Sequence, residues 1–164
     1  MNSKEIFVHI WDRESQTTLR IFRAFPAGRL GVKPHERSRS IRDLAWQCVI
    51  DERIIGKIVD GANDLRNVPP SPPPPDAMEE IIAAYEAAHA ESLEKVERLS
   101  DAEFSRSVTV QTPRGPWQSE QPLTLWGNVL DQVHHRGQLS IYLRIAGGKV
   151  PSIYGPSGDE AWLP

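Results

Sequence analysis

Asp131 and His135 stand four residues apart in the segment Asp131-Gln-Val-His-His-Arg-Gly-Gln138. On a helix that turns ~100° and rises ~1.5 Å per residue, such a pair lies about 40° apart around the axis and ~6 Å apart along it. Asn128 and Gln138 fall on the same narrow strip. A carboxylate and an imidazole so placed can ligate one divalent cation from a single helix. The same pair would equally serve as an Asp–His hydrogen bond or as part of a solvated polar strip. His134 points ~100° away from His135 and is read as a core histidine, hydrogen-bonded across to another helix. Gly137 suggests the close approach of a neighbouring helix, and Arg136 either braces the C-terminal tail or lies on the surface.

A metal needs a third protein ligand, and the second helical segment is the place to look. Gln47 and Glu52 are the polar residues within its apolar stretch, whereas Asp51 is read as facing outward. His9 and His89 are further candidates, each with an ordinary surface or packing role as the alternative. Cys48 sits in the apolar run Trp46-Gln-Cys-Val-Ile50 and is read as a packed thiol.

Four helical segments must position these groups. The first runs from about Lys4 to Phe25, with Ile6, Phe7, Ile10, Leu19, Ile21 and Phe22 at helical spacings, and stops at Pro26-Ala-Gly28. Ser40-Ile-Arg-Asp43 reads as the capped start of the second, which ends at Gly61. Asn67-Val-Pro-Pro-Ser-Pro-Pro-Pro-Pro75 excludes a helix and suits an extended, semi-rigid crossover within one domain. Asp76-Ala-Met-Glu79 repeats the capping pattern and opens a third helix to about Leu99. Ser100 to Glu103 suits a short helical turn around Phe104. Ser107 to Thr112 favours β-structure but is read as too short and isolated to form a sheet, with Pro113, Gly115, Pro116 and Pro122 keeping the region irregular. The fourth helix is expected from Thr124 to about Ala146, apolar nearly all round and therefore central, before the Gly147-Gly148 pair. The pattern predicts an all-α four-helix bundle covering 1–164 as a single domain, with an extended C-terminal tail.

Composition narrows the function classes. The 164 residues include 25% charged and 39% hydrophobic, carry a formal net charge of −3, and contain one cysteine. That charge and the lack of a dense basic patch argue against a nucleic-acid partner. One cysteine excludes an internal disulfide framework. The N-terminus lacks a signal-peptide pattern, and no apolar run approaches the ~20 residues of a membrane span. A cytoplasmic protein is expected.

The segment from Asp131 to Leu139, continuing through Tyr142-Leu-Arg-Ile-Ala-Gly-Gly-Lys-Val-Pro-Ser-Ile-Tyr-Gly-Pro-Ser157, resembles the DinB-like family. Arg39-Ser-Ile-Arg-Asp-Leu-Ala-Trp46, with Glu52, is similar to that family's second helix. The resemblance implies a four-helix bundle, often dimeric, with a divalent metal held by three histidines, one from the second helix and two from the fourth. Some relatives are transferases or isomerases that use low-molecular-weight thiols. Carried over to this chain, the ligand positions are Gln47, Asp131 and His135, of which only His135 keeps the family's residue type. Glutamine offers a neutral carbonyl oxygen, a weak donor to Zn²⁺ or Ni²⁺, so the set shifts preference toward Mn²⁺ or Mg²⁺ or leaves the site empty.

Two functions follow. The first is a metal-assisted enzyme, a thiol-dependent transferase or a hydrolase acting on a small molecule, with Gln47 a third ligand or an orienting hydrogen-bond donor and Glu52 a supporting group or proton acceptor. The second is a non-enzymatic binding or stress-response protein in which Gln47, Asp131 and His135 form a hydrogen-bond network. A homodimer is compatible with either, through apolar residues of the first and third helices or the tail near Trp162.

Overall fold

The computed structural model describes residues 1–62, 64, 72–112 and 114–161. Among them the chain forms five helices and one two-stranded sheet: α1 (Ser3–Arg23), α2 (Ile41–Val59), α3 (Met78–Arg98), α4 (Asp101–Phe104), β1 (Ser107–Thr112), β2 (Gly115–Glu120) and α5 (Gln121–Ile145). Four of the helices are long and α4 is a single turn. α1 packs on α3 and α5, and α2 packs on the same two helices from the other side. No helix among the described residues is long and apolar enough to cross a membrane.

Local chemistry sets most of the helix starts. Ser40 accepts from the Asp43 N–H at 3.1 Å and Asp43 answers at the Ser40 backbone, so the expected cap of α2 forms in both directions. Asn2 with Glu5, and Ser100 with Glu103, cap α1 and α4 in the same way. Asp76 does not cap α3, contrary to expectation: Ala77 occupies that position without a side-chain bond, and the Asp76 carboxylate is taken by Arg42. α5 begins at Gln121, earlier than expected, because Pro122 lies in the first turn, where the missing N–H costs nothing. Gly61 and Gly147, with φ of +79° and +88°, follow α2 and α5 in the left-handed conformation glycine adopts readily.

The hairpin corrects the all-α expectation. β1 pairs antiparallel with β2, Ser107 opposite Glu120 and Thr112 opposite Gly115. The Thr112 hydroxyl closes the turn by donating to the Gly115 carbonyl at 2.8 Å and accepting from the Arg114 N–H. Val108 and Val110 are buried, so alternation supplies an inner face that the run of prolines obscured. Pro72 to Pro75 carry neither helix nor strand, and residues 67–71 of the proposed crossover lie outside the described residues. After Gly147 the described tail has no helix or strand and is tied down by side chains, Arg144 to Asp159 and Arg20 to Glu160 among them.

The interior holds two apolar clusters. One gathers Phe22, Ile41, Leu44, Tyr85, Leu139 and Leu143; the other gathers Phe7, Trp11, Ile55, Phe104, Leu125 and Val129. Burying each large side chain contributes about 1.5–3 kcal/mol. Glu52 on α2 and Gln132 on α5 fall between the two clusters along their helices. α5 is not buried on all sides: Leu123, Leu130, Ile141 and Ile145 are exposed along one of its faces.

Candidate metal centre

α2 and α5 bound a common groove. Along α2 the residues facing it are Leu44, Gln47, Asp51, Ile54 and Ile58, alternating steps of three and four. Along α5 they are Thr124, Asn128, Asp131, His135, Gln138 and Tyr142. Ile58 shares a cavity with Thr124, and Leu44 shares another with Tyr142, so the two helices run in opposite directions.

Midway along this groove Asp51, Asp131 and His135 each bring one donor atom within 4.8 Å of the other two. His135 Nδ1 lies 3.6 Å from Asp51 Oδ2 and 3.8 Å from Asp131 Oδ2. Asp51 is 3% exposed, which overturns the outward orientation expected from sequence. Its other oxygen, Oδ1, accepts from Gln47 Nε2 at 2.8 Å, and Arg39 in turn donates to Gln47 Oε1 at 3.0 Å. The relay fixes the carboxylate so that Oδ2 faces His135. Asp51 Oδ2 and His135 Nδ1 are both buried and neither has a hydrogen-bond partner. Buried polar atoms left unpaired cost about 1–3 kcal/mol each. Burial pushes the Asp51 carboxyl up to about 7, with the Gln47 bond opposing and the charges of Asp131 and Glu52 adding to the rise. Burial also lowers His135 below its ordinary value, against the pull of Asp131, so its neutral, ligating form is favoured.

These residues fit a divalent cation. Two carboxylates and a neutral imidazole converge through atoms that the protein leaves unsatisfied, and positive charge there would relieve both. Three protein donors leave coordination positions free, the arrangement of a catalytic rather than a closed structural site. Oxygen-rich donors favour harder ions than three imidazoles do.

The sequence-derived residues are distributed as follows. Asp131 and His135 meet as their spacing requires. Gln47 lies beside the cluster, its amide N–H donating to Asp51 and its carbonyl oxygen accepting from Arg39. Glu52, the next residue after Asp51, points into the interior and is fully buried. Its Oε1 accepts from Trp11 Nε1 at 3.0 Å, Tyr85 Oη at 3.1 Å and Gln132 Nε2 at 3.0 Å, and Oε2 lies 3.2 Å from His89 Nδ1. His89 Nε2 reaches Asp12 at 3.2 Å. Burial alone would lower His89, but its bonds to Glu52 and Asp12 and their charges raise it above its ordinary value. His89 is thus held in the core network, and His9 is exposed. His134 is exposed too and meets Gln138 on its own helix, not a partner across the core. Cys48 is fully buried, as expected, and burial pushes its thiol up.

Each of the three converging residues is followed by a buried polar one: Glu52 after Asp51, Gln132 after Asp131, Arg136 after His135. One step of ~100° carries each from the groove into the interior. The Gln132–Glu52 bond ties α5 to α2 at the level of the cluster. Arg136 donates to the Glu14 carboxylate and carbonyl on α1 and to Tyr154 of the tail, which gives it the bracing role rather than a surface one.

The signal that would have found Asp51 is its place on the strip from Leu44 to Ile58. α2 is covered on two sides, by α3 and by α5, so Asp51 and Glu52 are both buried.

A mostly helical fold with a convergent carboxylate–imidazole cluster defines a class, and comparison with known proteins names it. The DinB family model matches residues 1–162, and the chain belongs to the DinB family. It is 25% identical over 160 residues to an uncharacterized protein, YrdA, of Bacillus subtilis (strain 168), covering 94% of this chain and 89% of that one. Its fold resembles a DinB-like protein from Bacillus cereus ATCC 10987 with a TM-score of 0.76 and 19% identity, covering 92% of this chain and 97% of the other. It also resembles a mutant of a mycothiol-dependent maleylpyruvate isomerase with a TM-score of 0.61 and 16% identity, covering 83% of this chain and 60% of the isomerase.

Proposed function

We propose that this chain is a cytoplasmic, metal-dependent enzyme, one domain over 1–164 with the four long helices as a bundle, acting on a small molecule with a low-molecular-weight thiol in the manner of a transferase or isomerase. The observation that carries the reading is the facing pair of unsatisfied buried atoms, Asp51 Oδ2 and His135 Nδ1, with the Asp131 carboxylate beside them. The mycothiol-dependent isomerase among the structural neighbours supports the thiol.

Asp51, Asp131 and His135 would hold the ion, with Mn²⁺ or Mg²⁺ preferred over Zn²⁺ or Ni²⁺. Bound there, a divalent cation supplies Lewis acidity that lowers the pKa of a coordinated thiol or water. Gln47 acts as the orienting hydrogen-bond donor, holding Asp51 Oδ1 so that Oδ2 stays turned to the groove. Arg39 holds Gln47 in that position. Glu52 supports the spacing of α2 and α5 through Gln132 and takes no part in the chemistry. The exposed apolar face of α5 supports a homodimer; sedimentation of the wild type beside Ile141→Glu tests that, and two monomeric proteins would remove it.

Isothermal titration of chelator-treated protein with Mn²⁺, Mg²⁺, Zn²⁺ and Ni²⁺ tests the metal. One equivalent should bind, and Asp51→Asn and His135→Ala should each abolish it. Absence of binding by all four ions would sink the enzymatic reading.

A further inference from the structure

The groove between α2 and α5 opens into a cavity on either side of the cluster of Asp51, Asp131 and His135, and the two differ in character. Toward the C-terminal end of α5 is a cavity of about 510 Å³ whose wall includes Arg37, Arg39, Ser38, His135, Gln138 and Tyr142, with no acidic residue in it. Toward the N-terminal end is one of about 400 Å³ walled by Ile54, Ile58, Val110, Trp117 and Leu123, with Asp131 at its inner edge and no cationic residue among the described residues. His135 belongs to the first and Asp131 to the second, so the cluster lies where they meet. On α5 the first is lined from His135 to Tyr142 and the second from Leu123 to Asp131, so their inner walls are four residues, ~6 Å, apart along the helix.

Among the described residues, both ends present groups that the protein only partly covers. Arg39 spends one guanidinium bond on Gln47, which fixes the side chain and leaves further N–H donors for an oxyanion. Trp117 is 50% and Leu123 63% exposed, an apolar surface that a bound hydrocarbon or aryl group would cover. We propose that the groove binds an elongated organic anion, its acidic group at Arg37 and Arg39 and its apolar body against Trp117 and Leu123, so that the middle of the molecule passes the cluster of Asp51, Asp131 and His135. This names the substrate class of the site proposed above and rests on that reading only for what happens at the midpoint. Binding itself needs the two ends alone. An amphiphilic cation is disfavoured by the arginines, and a short acid leaves the apolar end uncovered.

Decanoate, butyrate and decylammonium, titrated calorimetrically into the full chain with and without Mn²⁺, test the proposal. Decanoate should bind roughly tenfold or more tighter than either of the others, the scale on which a charge-assisted guanidinium contact or a few buried methylenes act. Arg37→Gln/Arg39→Gln should remove the preference over decylammonium, and Trp117→Ser/Leu123→Gln the preference over butyrate. Circular dichroism and melting of both double variants verify that they fold, all four positions being exposed. Equal affinity for decanoate and decylammonium overturns the proposal. So does decanoate binding that both variants retain, which would place the ligand elsewhere, for instance on the apolar face at Leu130 and Ile141. A protein that binds decanoate as described but no metal loses the enzymatic reading and keeps this one. A protein that binds Mn²⁺ but shows no decanoate preference does the reverse.

Discussion

Glu52→Gln separates a structural carboxylate from a catalytic one. The carboxylate collects three neutral donors on Oε1 and faces His89 on Oε2 at 3.2 Å. A glutamine of the same shape keeps a carbonyl acceptor for Trp11, Tyr85 and Gln132, but turns an amide N–H₂ toward His89 Nδ1. The loss is one charge-assisted bond, about 1.5–3 kcal/mol, plus some weakening of the other three, partly offset because a neutral amide is less costly to bury. We expect about 2–4 kcal/mol of destabilisation at pH 6. The pH dependence has a definite sign. His89 is raised in the folded state, so its contribution is complete below its ordinary value of 6.5 and is lost as pH rises through the elevated one. The variant lacks most of that contribution, since only Asp12 still holds the ring. The gap between wild type and variant should therefore narrow from pH 6 toward pH 9. Urea unfolding at three pH values in the presence of chelator measures it. A difference below about 0.5 kcal/mol at pH 6 would refute the reasoning, because exposed carboxylates behave that way; so would a gap that ignores pH. Metal affinity should fall only modestly, through the loosened α2–α5 spacing.

Other perturbations reach different parts of the frame. Asp51→Asn should stabilise the metal-free protein by about 1–3 kcal/mol at pH 8, since it removes a buried charge whose Oδ2 has no partner, while abolishing Mn²⁺ binding; paired denaturation and titration would reveal both. Arg136→Met leaves the part-buried Glu14 carboxylate with the Tyr154 hydroxyl, at 2.6 Å, but without its guanidinium, and should cost about 3–5 kcal/mol in urea unfolding. Gly148→Ala drives a Cβ against Leu143 Cδ1 and to 3.0 Å from the Ala24 carbonyl oxygen, so thermal unfolding should show a loss of about 1–3 kcal/mol. Ser40→Ala removes the cap of α2 and should cost about 1 kcal/mol without altering metal affinity.

What was legible in the sequence was what local chemistry decides. The Ser40 and Ser100 caps, the glycine stops at Gly61 and Gly147, and the i,i+4 placement of Asp131 with His135 depend on residues within one helical turn. What escaped depends on which elements lie alongside. Val108 and Val110 form a strand only because Gly115 to Glu120 folds back on them. Asp51 turns inward because α5 covers a second side of α2, which periodicity on α2 alone does not disclose. His134 turns outward for the converse reason: α5 leaves a whole face open, although its composition suggested none. Gln47 stood at the position that family resemblance assigns to a ligand, yet the converging carboxylate lies one turn further along the helix.

The doublets Asp51–Glu52, Asp131–Gln132 and His135–Arg136 divide two kinds of selection between adjacent residues. The second member of each keeps the helices in place through Trp11, Tyr85, His89 and Glu14, while the first faces only the groove. Substitutions at the first positions leave the interior bonds of the second in place, although burial at Asp51 still weighs on stability. The groups that face the groove can therefore change without breaking the bonds that hold α2 and α5 together. For protein engineering, Asp51, Asp131 and His135 form a small combinatorial panel on a scaffold tied together one residue away.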